Sequence, residues 1–235
     1  MKKLPMTVAV SLLTVTAPGL AAAESGNYVA VRAGINDTRE SDFNTDESAT
    51  RSTTVSSKYD TGYGAALAIG RVLDASRNLG LRTEFELGYS ETEADSHREV
   101  VTDSSGPSPQ TVSRQSLSPA KGDLMVTTAF ANFYGETELD AIANAHFLVG
   151  VGGGLAQVNL DQAGAPGNIK LDDQATTYGF HLSTGWSYDL NDQISLEAMY
   201  RYQSIEDVDL ESVAGNEDSA RLDSHNFLAG LRYNF

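Results

Sequence analysis

His225-Asn226-Phe227-Leu228-Ala229-Gly230-Leu231-Arg232-Tyr233-Asn234-Phe235 is the stretch whose reading decides the fold. With a period of two it puts His225, Phe227, Ala229, Leu231, Tyr233 and Phe235 on one face. Asn226, Leu228, Gly230, Arg232 and Asn234 fall on the other, so this is a strand with one apolar side. A soluble sandwich contains such strands too, but an exposed terminal aromatic gains nothing from water. A transmembrane barrel gives it a place, because aromatic girdles sit where lipid meets water and the last strand closes the sheet against the first.

The same alternation recurs upstream. Val29, Val31, Ala33 and Ile35 oppose Tyr28, Ala30, Arg32 and Gly34, and Tyr63, Ala65, Leu67 and Ile69 oppose a small-residue face of Gly62, Gly64, Ala66, Ala68 and Gly70. Over 79–90, Leu79, Leu81, Thr83, Phe85, Leu87 and Tyr89 oppose Arg82, Glu84, Glu86, Gly88 and Ser90. Over 143–159, Phe147, Val149, Val151 and Leu155 oppose His146, Leu148, Gly150, Gly152, Gly154 and Ala156. Phe180, Leu182, Thr184, Trp186 and Tyr188 then oppose Gly179, His181, Ser183, Gly185 and Ser187. Finally Ile194, Leu196, Ala198, Tyr200 and Tyr202 oppose Ser195, Glu197, Met199, Arg201 and Gln203. The segment 123–134 is the hardest to phase: Leu124, Val126, Thr128, Phe130 and Tyr134 read as its outer face, with Met125 and Phe133 behind them, and a bulge would reconcile the two. Alternation alone does not say whether an apolar face meets a core or lipid.

The connections separate those two cases. Segments 36–60, 91–121, 161–174 and 204–223 are long and polar and read as solvated loops, whereas 74–78, 135–141 and 189–193 are short turns. Eight strands joined alternately by long and short connections predict an all-β, eight-stranded antiparallel up-and-down transmembrane β-barrel. Its turns are periplasmic and its four long loops extracellular. A sandwich has no reason to keep every second connection short.

Composition and the amino terminus agree. Lys2-Lys3, an apolar run broken by Pro5, Thr14, Thr16, Pro18 and Gly19, and then Ala21-Ala22-Ala23 predict a signal peptide over 1–23. Residues 24–235 then form one barrel domain. Nothing downstream supplies the roughly 20 apolar residues of a spanning helix, so any span is made of strands. With no cysteine, no disulfide framework is available. Thirty-two Asp and Glu against 16 Lys and Arg give a formal net charge of −16, which argues against nucleic acid as a partner. In the four long segments acidic residues outnumber basic ones by more than two to one, so most of that charge lies on the predicted cell surface.

Gly-Tyr-Gly-Ala-Ala-Leu-Ala-Ile-Gly (62–70), Leu-Arg-Thr-Glu-Phe-Glu-Leu-Gly-Tyr-Ser (81–90), Phe-Leu-Val-Gly-Val-Gly-Gly-Gly (147–154) and Gly-Leu-Arg-Tyr-Asn-Phe (230–235) resemble the small eight-stranded outer-membrane β-barrels, the OmpA-barrel, OmpX and opacity-protein group. The resemblance implies an integral protein of the outer membrane of a Gram-negative bacterium. Its implied partners are outer-membrane lipid and lipopolysaccharide, the barrel-assembly machinery during insertion, and an extracellular ligand of the loops. A monomer is expected. Leu231, Tyr233 and Phe235 resemble the C-terminal signal that this machinery reads.

The chemistry expected inside is ionic. Arg32, Arg82, Glu84, Glu86, Glu197, Arg201 and Arg232 share the inner face, and barrels of this kind pack such residues into an ion-pair network. Glu84 and Glu86, two apart on one strand, also have the geometry of an acid and base pair, but four arginines within reach make pairing the stronger reading. Val-Gly-Val-Gly-Gly-Gly lacks the helix start that a phosphate cradle needs, and the glycines instead make room for bulky inner side chains. His97, His146, His181 and His225 have no metal-site spacing. Ser224-His225 is an adjacent pair without the His-x-Ser-Asn spacing expected in lipid A deacylases. Glu206, Asp207, Asp209 and Glu211 cluster without the glycine of a calcium loop. No cofactor, metal or catalytic residue is expected. The function expected is a structural or surface-interaction role, in envelope integrity, adhesion or as a surface antigen, with a small-solute porin or a lipid A-modifying enzyme as the alternatives.

Overall fold

A computed structural model describes residues 26–39, 41–48, 51–76, 79–103, 110–115, 121–163, 171–211 and 217–235. The predicted leader, 1–23, lies outside them. The described residues form antiparallel strands: β1 (Asn27–Thr38), β2 (Ser41–Ser48), β3 (Arg51–Tyr59), β4 (Gly62–Ser76), β5 (Leu79–Asp103), β6 (Gln110–Gln115), β7 (Lys121–Glu138), β8 (Ala145–Ala163), β9 (Leu171–Asp189), β10 (Ile194–Glu211) and β11 (Glu217–Asn234). Eight of them close a ring in the order β1, β4, β5, β7, β8, β9, β10, β11, and β11 returns to β1 with Val31 opposite Leu231 and Val29 opposite Tyr233. Closure leaves no free edge around the ring, the condition for placing a sheet in lipid.

Burial in the ring is inverted relative to a soluble protein. Val31 is 56% exposed and its neighbour Arg32 1%; Phe85 is 51% exposed and Glu86 0%. Leu67, Leu87, Val149, Leu182, Leu196 and Leu231 join Val31 and Phe85 on an exposed outer belt, while arginines, glutamates, serines and asparagines are sealed inside. Tyr63, Tyr89 and Tyr178 border the belt at one end, and Trp186, Tyr188, Tyr233 and Phe235 at the other, as aromatic girdles do at the two lipid–water boundaries.

The strands outrun this belt. A transmembrane strand needs about 9–11 residues, whereas β5 has 25 and β8 and β9 have 19 each. Beyond the Tyr63 girdle the inner face turns apolar: Tyr59, Leu124, Val126, Val158, Leu160, Ile205, Val208 and Leu222 pack into one buried cluster. Water rather than lipid surrounds the sheet at that height, so it buries its apolar side as a soluble barrel would.

That change of surroundings corrects the phase expected for 123–134. Leu124, Val126, Thr128, Phe130 and Tyr134 all point inward, and Phe133 is the exposed residue. The upper half of β7 lies beyond the belt, where an apolar inner face is normal. Its lower half carries aromatics that lie against buried charges. No bulge is present, since β7 keeps unbroken register with β5 and β8.

The polar segments also need correcting. Instead of unpaired loops, 36–60 and 91–121 contain β2, β3, the distal part of β5 and β6. β3 pairs the distal part of β5 from Tyr59 opposite Ala94 to Arg51 opposite Asp103, and β6 pairs it on the other side. A strand that projects from a closed ring offers a ready hydrogen-bonding edge, so Ser- and Thr-rich segments join it without needing a core of their own. Segments 161–174 and 204–223 are likewise shorter as loops than expected, because β8 runs to Ala163 and β10 to Glu211.

Candidate functional site: the charged interior

All seven inner charges named from the sequence are buried and brought into one cluster. Arg32 on β1 is its hub. Its Nη1 donates to Glu84 Oε1 at 2.7 Å and to Glu86 Oε2 at 2.9 Å, its Nη2 to Glu84 Oε2 at 2.8 Å, and its Nε to Glu197 Oε2 at 2.8 Å. Arg82 Nη1 donates to Glu197 Oε1 at 2.7 Å. Arg201 grips Glu86 with both terminal nitrogens, at 2.5 and 3.0 Å, and its Nε donates to Ser183 Oγ at 3.3 Å.

An eighth charge completes the set. The seven include four cations and three anions; Glu136 on β7 supplies the fourth anion, 3.1 Å from both Arg82 Nη1 and Arg232 Nη1. Arg232 Nη2 also donates to Ser195 Oγ at 3.2 Å. Among the described residues the cluster sets four guanidinium groups against these four carboxylates, with Asp189 at its edge, 3.7 Å from Arg232 Nη2. Such a cluster holds in a dry interior because every charge has a fixed partner.

Aromatic and amide side chains fill the remaining space. Arg82 Nε and Nη2 have no hydrogen-bond partner. The guanidinium lies 4.6 Å from the Tyr134 ring centre and 5.5 Å from that of Tyr28, where the ring faces favour a cation. Asn132 Nδ2 donates to Glu84 Oε1 at 3.1 Å, so its Oδ1 is free to accept from His181 Nε2 at 2.9 Å. His181 Nδ1 then accepts from Ser183 Oγ at 3.0 Å, which fixes the imidazole tautomer. Gly152 lies under this chain: a methyl group there would run into Asn132 Oδ1 and His181 Nε2. Gly70 accommodates the Tyr28 ring in the same way.

Tyr28, Asn132, Tyr134, Glu136, His181 and Ser183 were not singled out from the sequence as members of this site. Tyr28, His181 and Ser183 do share the alternation of the inner charges, and that was the available signal. Asn132, Tyr134 and Glu136 lie on β7, where the alternation of apolar residues alone gives the opposite phase.

The other candidates are dispersed. Ser224 is buried inside while His225 faces out between Tyr200, 2.6 Å away, and Arg39, 2.9 Å away. Adjacent strand residues point to opposite faces, so Ser224 and His225 cannot act as a dyad. His146 meets Asp189 at 3.0 Å, and the His97 side chain lies outside the described ones. Among the described residues no group of acidic, histidine or cysteine side chains is placed to hold a metal. The side chains of Asp207, Asp209 and Glu211 also lie outside the described ones. Glu84 and Glu86 are saturated by arginine, which leaves neither as a free acid or base. Leu231, Tyr233 and Phe235 face outward at the seam with β1, where the Phe235 N–H donates to the Asn27 carbonyl at 2.9 Å.

Two small cavities lie inside among the described residues. Above the charges are a cavity of about 30 Å³ lined by Ser90, Arg201, Gln203 and Asn226, and another of about 10 Å³ lined by Asn36, Thr92, Gln203 and Ser224. The first has room for a water or two and the second for one at most. Two wider grooves, of about 350 and 450 Å³, lie on the outer wall, with Phe133 lining both.

The model of the outer membrane protein beta-barrel domain matches residues 7–235. Among solved structures, the outer membrane protease OmpT from Escherichia coli is similar, with a TM-score of 0.51 at 9% identity, covering 92% of this chain and 99% of that one. Neisserial surface protein A gives a TM-score of 0.49 at 17% identity, covering 90% and 100%, and OprG from Pseudomonas aeruginosa 0.42 at 16%, covering 90% and 97%. The likeness to OmpT carries the barrel fold and nothing of its activity. No curated protein matches the chain by sequence.

Proposed function

From the premise that this chain belongs to the outer membrane protein β-barrel family and is integral to the outer membrane of a Gram-negative bacterium, we propose that it is a closed anchor carrying an acidic β-structure into the surroundings of the cell. Its role is surface interaction, whether in envelope integrity, adhesion or antigenic display. One observation carries this reading: the strands extend well beyond the belt, β5 to 25 residues, while the interior is filled by charges at belt height and by apolar side chains above. A conduit needs continuous space, and a filled interior stabilises the barrel instead.

The reading includes no catalysis. Ser183 and His181 resemble a nucleophile and base in type, but both are buried and no substrate could reach them. The excess of acidic over basic residues in the segments beyond the belt favours a cationic ligand.

Two measurements test the proposal. In planar bilayers the purified protein should give only small or rare conductance, and a stable, wide channel would promote the porin reading instead. Intact cells displaying the protein should bind immobilised polylysine more strongly than cells in which Asp207, Asp209, Glu211, Glu217 and Asp218 are replaced by Asn or Gln. Equal binding would remove the acidic surface from the argument.

A further inference from the structure

The outer belt is apolar with one exception. Among the described residues that face outward between the two girdles, Arg71 is the one charged side chain, and it is exposed. It lies on β4 between Ile69 and Leu73, in register with Asn27 of β1 and Thr83 of β5, toward the end of the belt where Trp186, Tyr188 and Tyr233 sit. A cation on the lipid face is costly at the midplane and tolerated near the boundary, where an anionic lipid head can meet it. Its long stem lets the guanidinium reach the boundary. There the available anion is phosphate, which a guanidinium binds with two parallel hydrogen bonds. Arg71 keeps a contact within the protein, and its five N–H donors leave room for a second, anionic partner.

A groove begins at the same residue. About 350 Å³ of the outer wall is bounded by Arg71, Ile69, Phe85 and Phe133, with Thr83 and Ala131 among its lining residues. The two phenylalanines stand as walls because small residues lie between them. The groove is apolar along its length and cationic at one end, which is the shape and charge of a single lipid with a phosphate head.

We propose that this face holds one phospholipid of the periplasmic leaflet, with its phosphate on Arg71 and one acyl chain in the groove between Phe85 and Phe133. Lipopolysaccharide is not the occupant, because Arg71 lies at the end of the belt that carries the short turns, which is the periplasmic end.

The probe is phosphatidylglycerol, with the diacylglycerol of the same chains as the phosphate-free comparison. Full-length protein released from mixed micelles in a native mass spectrometer should retain one phosphatidylglycerol and no diacylglycerol. Arg71→Gln should lower the retained fraction at least tenfold, and Arg71→Lys should restore part of it. Ala131→Trp fills the groove while leaving Arg71 in place and should abolish retention as well, so the proposal stays testable if Arg71→Gln fails to fold. Retention by Arg71→Gln or Ala131→Trp at the wild-type level, or equal retention of diacylglycerol, overturns the proposal.

Discussion

Replacing Arg201 by Met should destabilise the barrel by an amount that depends on which carboxylate is then neutralised. Arg201 is buried and holds both oxygens of Glu86, at 2.5 and 3.0 Å. Its removal strips Glu86 Oε1 of its donor but leaves Oε2 bound to Arg32 Nη1 at 2.9 Å. Breaking a buried ion pair from one side typically costs about 3–5 kcal/mol. Since Arg32 stays, the expected loss is at the lower end, about 3 kcal/mol. Adding Glu86→Gln removes the stranded charge and should recover about 2 kcal/mol, a coupling well within the range for residues in one network. Adding Glu197→Gln instead restores the same charge balance at the wrong place: Glu197 serves Arg32 at 2.8 Å and Arg82 at 2.7 Å, so its loss should deepen the damage. The assay is urea unfolding of the protein folded into phospholipid vesicles, followed by the fluorescence of the single tryptophan, Trp186, which faces lipid. Loss of heat-modifiable mobility on gels would serve as the check. Equal rescue by Glu197→Gln and Glu86→Gln would refute the reasoning, because it would mean that charge balance rather than the observed pairing holds the interior together.

Phe85 lies on the belt, so Phe85→Arg should cost about 2–4 kcal/mol in the same unfolding assay. A cost no greater than that of an arginine placed beyond the Tyr63 girdle would contradict the lipid-facing assignment. Gly152→Ala forces a methyl group against Asn132 and His181 and should cost about 1–3 kcal/mol, as overpacking does; an unchanged midpoint would show that the chain from Ser183 to Glu84 has slack. If Leu231, Tyr233 and Phe235 form the insertion signal, deleting Phe235 should reduce folded protein in the outer membrane, measured by the heat-modifiable band in membrane fractions, and normal insertion would sink that reading. At Asp223, partial burial pushes the carboxyl up, but hydrogen bonds from Arg221, Ser204 and Tyr202 outweigh it and hold the group below its ordinary value. A depressed carboxylate stabilises the fold above its ordinary range, about 3.9, and that stability is lost as pH falls through the depressed value. The urea midpoints of wild type and Asp223→Asn should therefore converge as pH drops below about 4, and a gap that stayed constant down to pH 2 would exclude this contribution.

A period of two is a local property of an extended chain, and it was enough to mark out the ring strands and to place Arg32, Arg82, Glu84, Glu86, Glu197, Arg201 and Arg232 on one side of the sheet. The sign of the alternation is not local. Leu124 and Val126 are inside because their part of β7 stands in water, while Leu87 and Val149 are outside because theirs stands in lipid. The same residue types therefore reverse their direction with height, and β7 crosses the boundary. The polar segments that became β2, β3 and β6 carry no apolar pattern, since their pairing depends on the projecting edge of β5, a feature of the assembled ring. The identity of the pairs was hidden for a related reason. Sequence can say that Arg201 and Glu86 share the interior, but the stagger of a tilted barrel decides which inward side chains meet across it. That stagger joins Arg201 to Glu86, leaves Glu197 to Arg32 and Arg82, and brings in Glu136 as the fourth anion. Alternation was readable residue by residue, whereas partnership across the lumen is set by closure, which exists only once all eight strands are in register.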